Sequence, residues 1–271
     1  MDRAKFFAGL RSRDSGVFGT SLSQAQVDGI EAILDACTRR NVTDPHHVSN
    51  VLAQVYHETG GHMLGIKETV MPGHKDKNPS DATVIARLEA AWKAGKLPWV
   101  KTPYWRDGAF GRGPIMLTHW ANYDKFAKRL GVPLRQKPEL ALDPKIGADI
   151  AVVGMSEGMF TGRKLSDYQF PAALDAIPAS NPRRIVNGQD GTDVTVAGYH
   201  RAFHRALIAA GYQASPPAPG AQPAPAPEPP IAQPTSPLAE PAVQPAPPPT
   251  QAEGLWAAVL AIITKLIGKG A

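Results

Sequence analysis

The chain has 271 residues, of which 20% are charged, with a formal net charge of +5. So small and scattered an excess excludes a basic recognition helix for nucleic acid and suits anionic surroundings such as a bacterial envelope. Cys37 is the single cysteine, so no intrachain disulfide can form and the fold cannot depend on an oxidising compartment.

The prolines divide the chain, because 15 of the 27 fall between Ala214 and Ala252. Residues 1–213 are therefore expected to form the globular part, 214–252 a Pro/Ala-rich linker and 253–271 a short C-terminal helix. The first part carries 27 basic and 21 acidic residues, a net of +6. Residues 1–19 are charged throughout and hold no apolar run of signal-peptide length, so a protein made in the cytoplasm and released by another route is expected.

Ser23 to Arg40 reads as the first helix, with Ser23 as cap and Val27, Ile30, Ile33, Leu34 and Cys37 at helical spacing. Asp44-Pro45 opens the next one, in which Val48, Val51, Leu52 and Val55 form a buried stripe that Glu58 rejoins. Gly60 and Gly61 can end it in a left-handed turn. Glu58 is thus placed on an apolar face at the negative end of a helix dipole. Both influences disfavour its ionised form, and the expected raised pKa suits a general acid.

Residues 70–79 read as a loop, and Asp81 as the cap of a helix reaching about Lys93. The aromatic and glycine-rich stretch from Trp99 to Pro114 follows. Its Tyr104 and Trp105 either stack on pyranose rings or, in the case of Trp99 and Trp105, fill a core. Residues 115–118 are read as extended, and helices are expected over His119 to Leu130, Ile146 to Phe160 and Thr195 to Ala210, the last with Val196, Tyr199, Phe203, Leu207 and Ile208 inward. No alternating run long enough for a strand is evident among these segments, and the class is mainly α.

Three reaction chemistries can be compared on spacing. His57-Glu58 begins like a zinc peptidase helix, but the next histidine, His62, is five residues after His57 and Gly60-Gly61 interrupts the helix. His200 and His204 are four apart, yet two ligands without a third do not make a metal site, and no metal is expected. No G-x-S-x-G is present, and Cys37 lies on a packed face. Carboxylates remain: two acids across a cleft can protonate a leaving oxygen and activate water, as inverting glycosidases do.

The segments "HETGG" (57–61), "FGRGPIMLTHWANY" (110–123) and "RIVNG" (184–188), in this order, resemble the family 19 glycoside hydrolases, most of all their phage and prophage endolysins. The resemblance spans residues 20–212. It implies a lysozyme-like, two-lobed helical domain with a central substrate cleft. It also implies hydrolysis of β-1,4 bonds of peptidoglycan or chitin with inversion and without a cofactor. Position by position, Glu58 corresponds to the general acid, Glu68 to the base and Thr118 to the residue that holds the attacking water. Asn122 and Asn187 correspond to asparagines that contact sugar, and His57, Tyr104, Trp105 and Tyr123 are expected beside them. Met116 departs from the pattern, which has Gln there. A thioether accepts only weakly, so a contact worth about 0.5–1.5 kcal/mol is lost. Within the same fold a chitinase, or a wall-binding protein without activity, remains open.

Beyond the linker, Leu255 to Ile267 is almost wholly apolar. As a helix it would span about 20 Å, short of the ~30 Å hydrocarbon layer. Lys265 and Lys269 on one side and Trp256, Val259, Leu260, Ile263 and Ile267 broadly opposite suit contact with a membrane surface over 255–267.

Overall fold

The structure is a computed structural model that describes residues 1–214, so the expected linker and C-terminal helix, Ala214 apart, lie outside the described residues. The described residues are mainly α. Helix α1 is Arg3–Leu10, α2 Gln24–Arg39, α3 Pro45–Glu58, α4 Asp81–Lys93, α5 Trp120–Leu130, α6 Pro144–Glu157 and α7 Asp193–Ala209. A two-stranded antiparallel ladder, β1 (Ile66–Lys67) and β2 (Arg112–Gly113), pairs Ile66 with Gly113 and Lys67 with Arg112.

Local chemistry accounts for most helix ends. At α2 the Ser23 hydroxyl accepts from the Gln26 backbone N–H, and the Gln26 side chain accepts from Ser23 N–H at 2.8 Å, a reciprocal cap. At α3 Pro45 occupies the first turn and the Asp44 carboxylate accepts from His46 and His47 N–H. The cap of α4 is Ser80, one residue before the expected Asp81. The Asp81 carboxylate is drawn instead to Lys67 and Arg112. Helix α1 had no expectation behind it: Phe6 and Leu10, one turn apart, are its buried residues.

The largest apolar cluster joins α1, α2, α3, α6 and α7, with Val51, Leu52 and Val55 fully buried. Each such side chain contributes about 1.5–3 kcal/mol relative to exposure. A second cluster packs α5 on α6, and a third packs Val84 and Leu88 of α4 against Trp105 and Phe110. Ile208, expected inward, is 48% exposed, because its neighbour Leu207 takes the buried position of that turn.

The end of α3 is built for a sharp exit. Thr59 Oγ1 donates to Val55 O at 2.7 Å and accepts from Met63 N–H at 3.0 Å. Gly60 (φ 57°) and Gly61 (φ 80°) then take the left-handed conformation. Loop 69–80 lies against this exit: a side chain at Gly60 would meet Pro72 Cγ at 2.7 Å.

Candidate active site

Glu58 is buried, and its partner is a cation. Arg183, in the 3-10 turn Pro182–Ile185 capped by Asn181, reaches Glu58 Oε1 and Asp190 Oδ2 with Nη2, each at 2.7 Å. Its Nη1 donates to Gln54 Oε1 at 2.7 Å and its Nε to Thr192 Oγ1 at 3.1 Å. Gln54 stands one turn before Glu58 on α3, and Asn187 Nδ2 donates to Asp190 Oδ2 at 3.2 Å. One guanidinium therefore ties together residues 54, 58 and 190, and Asn187 joins them through Asp190.

The charges here shape one another. Burial works to raise the Asp190 carboxyl, but Arg183 and the Thr192 donors bring it below the usual range. Burial opposes the charge on Arg183 as well, and the two carboxylates outweigh it. His57, next to Glu58, is pushed down to about 4, first by burial and then by Arg183.

Glu68 belongs to a second network. It follows β1, and its backbone N–H donates to Gly111 O at 2.8 Å. Gly111 N–H returns a bond to Glu68 Oε2 at 2.7 Å, and the Tyr104 hydroxyl donates to Oε1 at 2.7 Å. Burial raises the carboxyl to about 7, tempered by those two donors and by Arg112. Arg112 holds the glycine loop: it donates to Gly108 O at 2.9 Å, Phe110 O at 3.2 Å and Asp81 Oδ2 at 2.9 Å, with its guanidinium over the Phe110 ring.

Both acids are covered rather than open on a cleft wall, with Glu58 4% and Glu68 1% exposed. Other positions singled out in the sequence are also inside. Trp105 is fully buried, its indole N–H donating to Glu89 Oε2 at 3.1 Å, and this corrects the expectation that it presents a stacking face. Tyr123 is likewise fully buried and donates to Phe110 O at 3.0 Å, so it supports the loop instead of facing substrate. Met116, 7% exposed, adopts a positive φ of 41°. Thr118 Oγ1 donates to Met116 O at 2.8 Å, and the half-buried Asn122 donates to Thr118 O at 2.8 Å.

No family model matches the chain, and no curated protein matches it. Among solved structures, a point mutant of chitinase C is 20% identical with a TM-score of 0.42, covering 80% of this chain and 95% of its own. Chitinase C from Streptomyces griseus HUT6037 is 19% identical with a TM-score of 0.42, covering 79% and 77% respectively.

Sequence reasoning missed Arg183, Asp190 and Gln54. Two signals were available: Arg183 immediately precedes the "RIVNG" segment, and Gln54 is a polar residue one helical turn before a candidate acid within an apolar stripe. The Cys37 thiol is pushed up to about 12 by burial, which leaves it inert as a nucleophile.

Proposed function

We propose that the chain is a glycoside hydrolase that cleaves β-1,4 bonds of peptidoglycan with inversion, at the bacterial cell wall after release. The observation that carries this reading is the convergence on Arg183. Glu58 from the "HETGG" segment and Asn187 from the "RIVNG" segment, distant in sequence, join one buried network with Asp190 and Gln54. Burying charges costs several kcal/mol per ion, and a buried cluster of ionisable groups is a candidate functional site.

In the proposed reaction Glu58 leaves its ion pair with Arg183 and takes up a proton as substrate enters, then gives that proton to the glycosidic oxygen as the bond to the anomeric carbon breaks. The leaving sugar departs as an alcohol. Water held near Thr118 attacks the opposite face of the oxocarbenium-like centre and yields its proton to Glu68, which inverts the configuration. Because Glu68 titrates at about 7, it serves as base when ionised, above that pH. The reacting state is one in which the cover over both acids has opened, since Glu58 is 4% and Glu68 1% exposed.

Clearing of a purified peptidoglycan suspension tests the assignment. Glu58→Gln is expected to lower the rate by roughly 10²–10⁴-fold, the usual worth of a general acid. Equal clearing by the two proteins, or none by either, removes Glu58 from the chemistry. Mass spectrometry of the released fragments reports the bond, and cleavage of chitin oligomers without cleavage of peptidoglycan would reassign the substrate.

A further inference from the structure

Away from Glu58, the start of α3 meets α7 in a cluster of stacked rings. His46 lies parallel to His204 (ring centroids 3.9 Å apart, 6° between planes) and to Phe170 (5.7 Å, 7°). His46 Nδ1 and His200 Nε2 share a hydrogen bond of 3.1 Å, and His200 Nδ1 is buried without a partner. A cavity of about 230 Å³ opens beside these rings, lined by His46, His200, His204, Arg201 and Arg205, with Pro171 and Leu174 as its apolar wall.

The lining is basic and holds no acid. Of the nearby carboxylates, Asp44 caps α3 through His46 and His47 N–H, whereas the exposed Asp175 pairs with Arg201 of the lining at 2.6 Å, so an anion in the cavity shares or displaces that one surface contact. Arg205 donates to the neutral Ser15 carbonyl at 3.2 Å and makes no ion pair among the described residues. Among those residues no group of three or more His, Cys, Asp or Glu is placed to hold a metal, so the histidines do not form a metal centre there.

We propose that this cavity binds a small organic phosphate, with the oxyanion on Arg201, Arg205 and imidazole N–H groups and the organic part against Pro171 and Leu174. Guanidinium forks match the spacing of phosphate oxygens and keep their charge at every physiological pH. A phosphomonoester carries close to two negative charges and three acceptor oxygens, as many as this set of donors can use. The volume favours an ester over the bare ion. About 10–15 Å³ of such space already admits a water, so a cavity of about 230 Å³ has room for a phosphate group and a few carbons. Burial, then the neighbouring imidazoles and Arg201, lower His200 to about 3, and an anion in the cavity would oppose that shift.

Calorimetric titration of the full chain with glycerol 3-phosphate, inorganic phosphate and glycerol tests the site. Saturable binding of the ester is expected, about tenfold or more tighter than inorganic phosphate, with none for glycerol. The double variant Arg201→Gln/Arg205→Gln should weaken it by about tenfold or more while keeping the wild-type circular dichroism spectrum. If that variant fails to fold, His204→Gln, which keeps a donor and loses the imidazole stack, is expected to weaken binding as well. No saturable binding of the ester, unchanged affinity in a folded variant, or equal binding of glycerol would overturn the site. Equal binding of inorganic phosphate would overturn its organic half.

Discussion

Glu58 and Arg183 form an ion pair of 2.7 Å between side chains that are 2% and 3% exposed. Neither is solvated in the folded state, so each depends on the other. Removing one partner of such a pair leaves a buried charge uncompensated and typically costs 3–5 kcal/mol.

Arg183→Ala should therefore lower the unfolding free energy by about 3–5 kcal/mol, read from urea denaturation. The same variant leaves Glu58 and Asp190 facing each other without a cation and should lose clearing activity. Arg183→Lys retains the charge, but one ammonium cannot reach Glu58, Gln54, Asp190 and Thr192 together, so an intermediate loss is expected. A change of a few tenths of a kcal/mol for the alanine variant would mean that this pair is hydrated in solution.

Tyr104 provides a test of Glu68 that does not remove the acid. Its hydroxyl donates to Oε1 at 2.7 Å and stabilises the carboxylate against the burial that raises this group to about 7. Tyr104→Phe removes the donor and should raise Glu68 further. The acid-side limb of the activity profile, expected near pH 7 in the wild type, should move to higher pH in the variant. A limb that does not shift separates Glu68 from the rate and leaves it as a clamp between β1 and Gly111.

Gly29 marks where α2 meets the segment after α3. A side-chain carbon there would stand 2.5 Å from Met63 O and 2.6 Å from Met63 C, both backbone atoms that have no rotamer to yield. Gly29→Ala should cost about 1–3 kcal/mol by overpacking, despite the better helix propensity of alanine. Thermal unfolding would show it as a lower Tm, and an unchanged Tm would mean that the Met63 backbone yields to the added methyl group.

The parts of this molecule legible in its sequence were those specified by neighbours in the chain. Asp44-Pro45, the valine stripe and Gly60-Gly61 define α3 from start to exit, and its observed bounds follow them. The parts that were not legible depend on partners far away. The ladder of β1 and β2 has two residues per strand, too few for any alternation, and exists because Ile66 and Gly113 meet. Asp81 has the chemistry of a cap, but Lys67 and Arg112 engage its carboxylate. Trp105 lies in an aromatic and glycine-rich stretch whose composition left stacking and core-filling both open, and only its fold onto α4 and its bond to Glu89 decide for the core. Arg183 had only its place beside the "RIVNG" segment to mark it, and its role was not legible because Gln54 and Glu58 lie on another helix.

The histidines set how the fold responds to acid. Burial, with its neighbours' charges, brings His200 to about 3 and His57 to about 4, against an ordinary 6.5 that both regain on unfolding. Below pH 6.5 the unfolded chain takes up protons that the folded chain refuses, so their contribution is complete above 6.5 and is lost as the pH falls toward 4. Glu68 acts in the opposite sense. Its folded value of about 7 lies above the ordinary 4.5, so it favours the fold as the pH falls from 7 to 4.5. Two imidazoles outweigh one carboxyl, and the Tm is expected to fall between pH 6.5 and 4.5 in buffers free of phosphate. Glu68→Gln removes the opposing group and should steepen that fall, whereas His200→Gln should flatten it. A Tm that rises on acidification across this interval would show that the imidazoles reach solvent and protonate in the folded state.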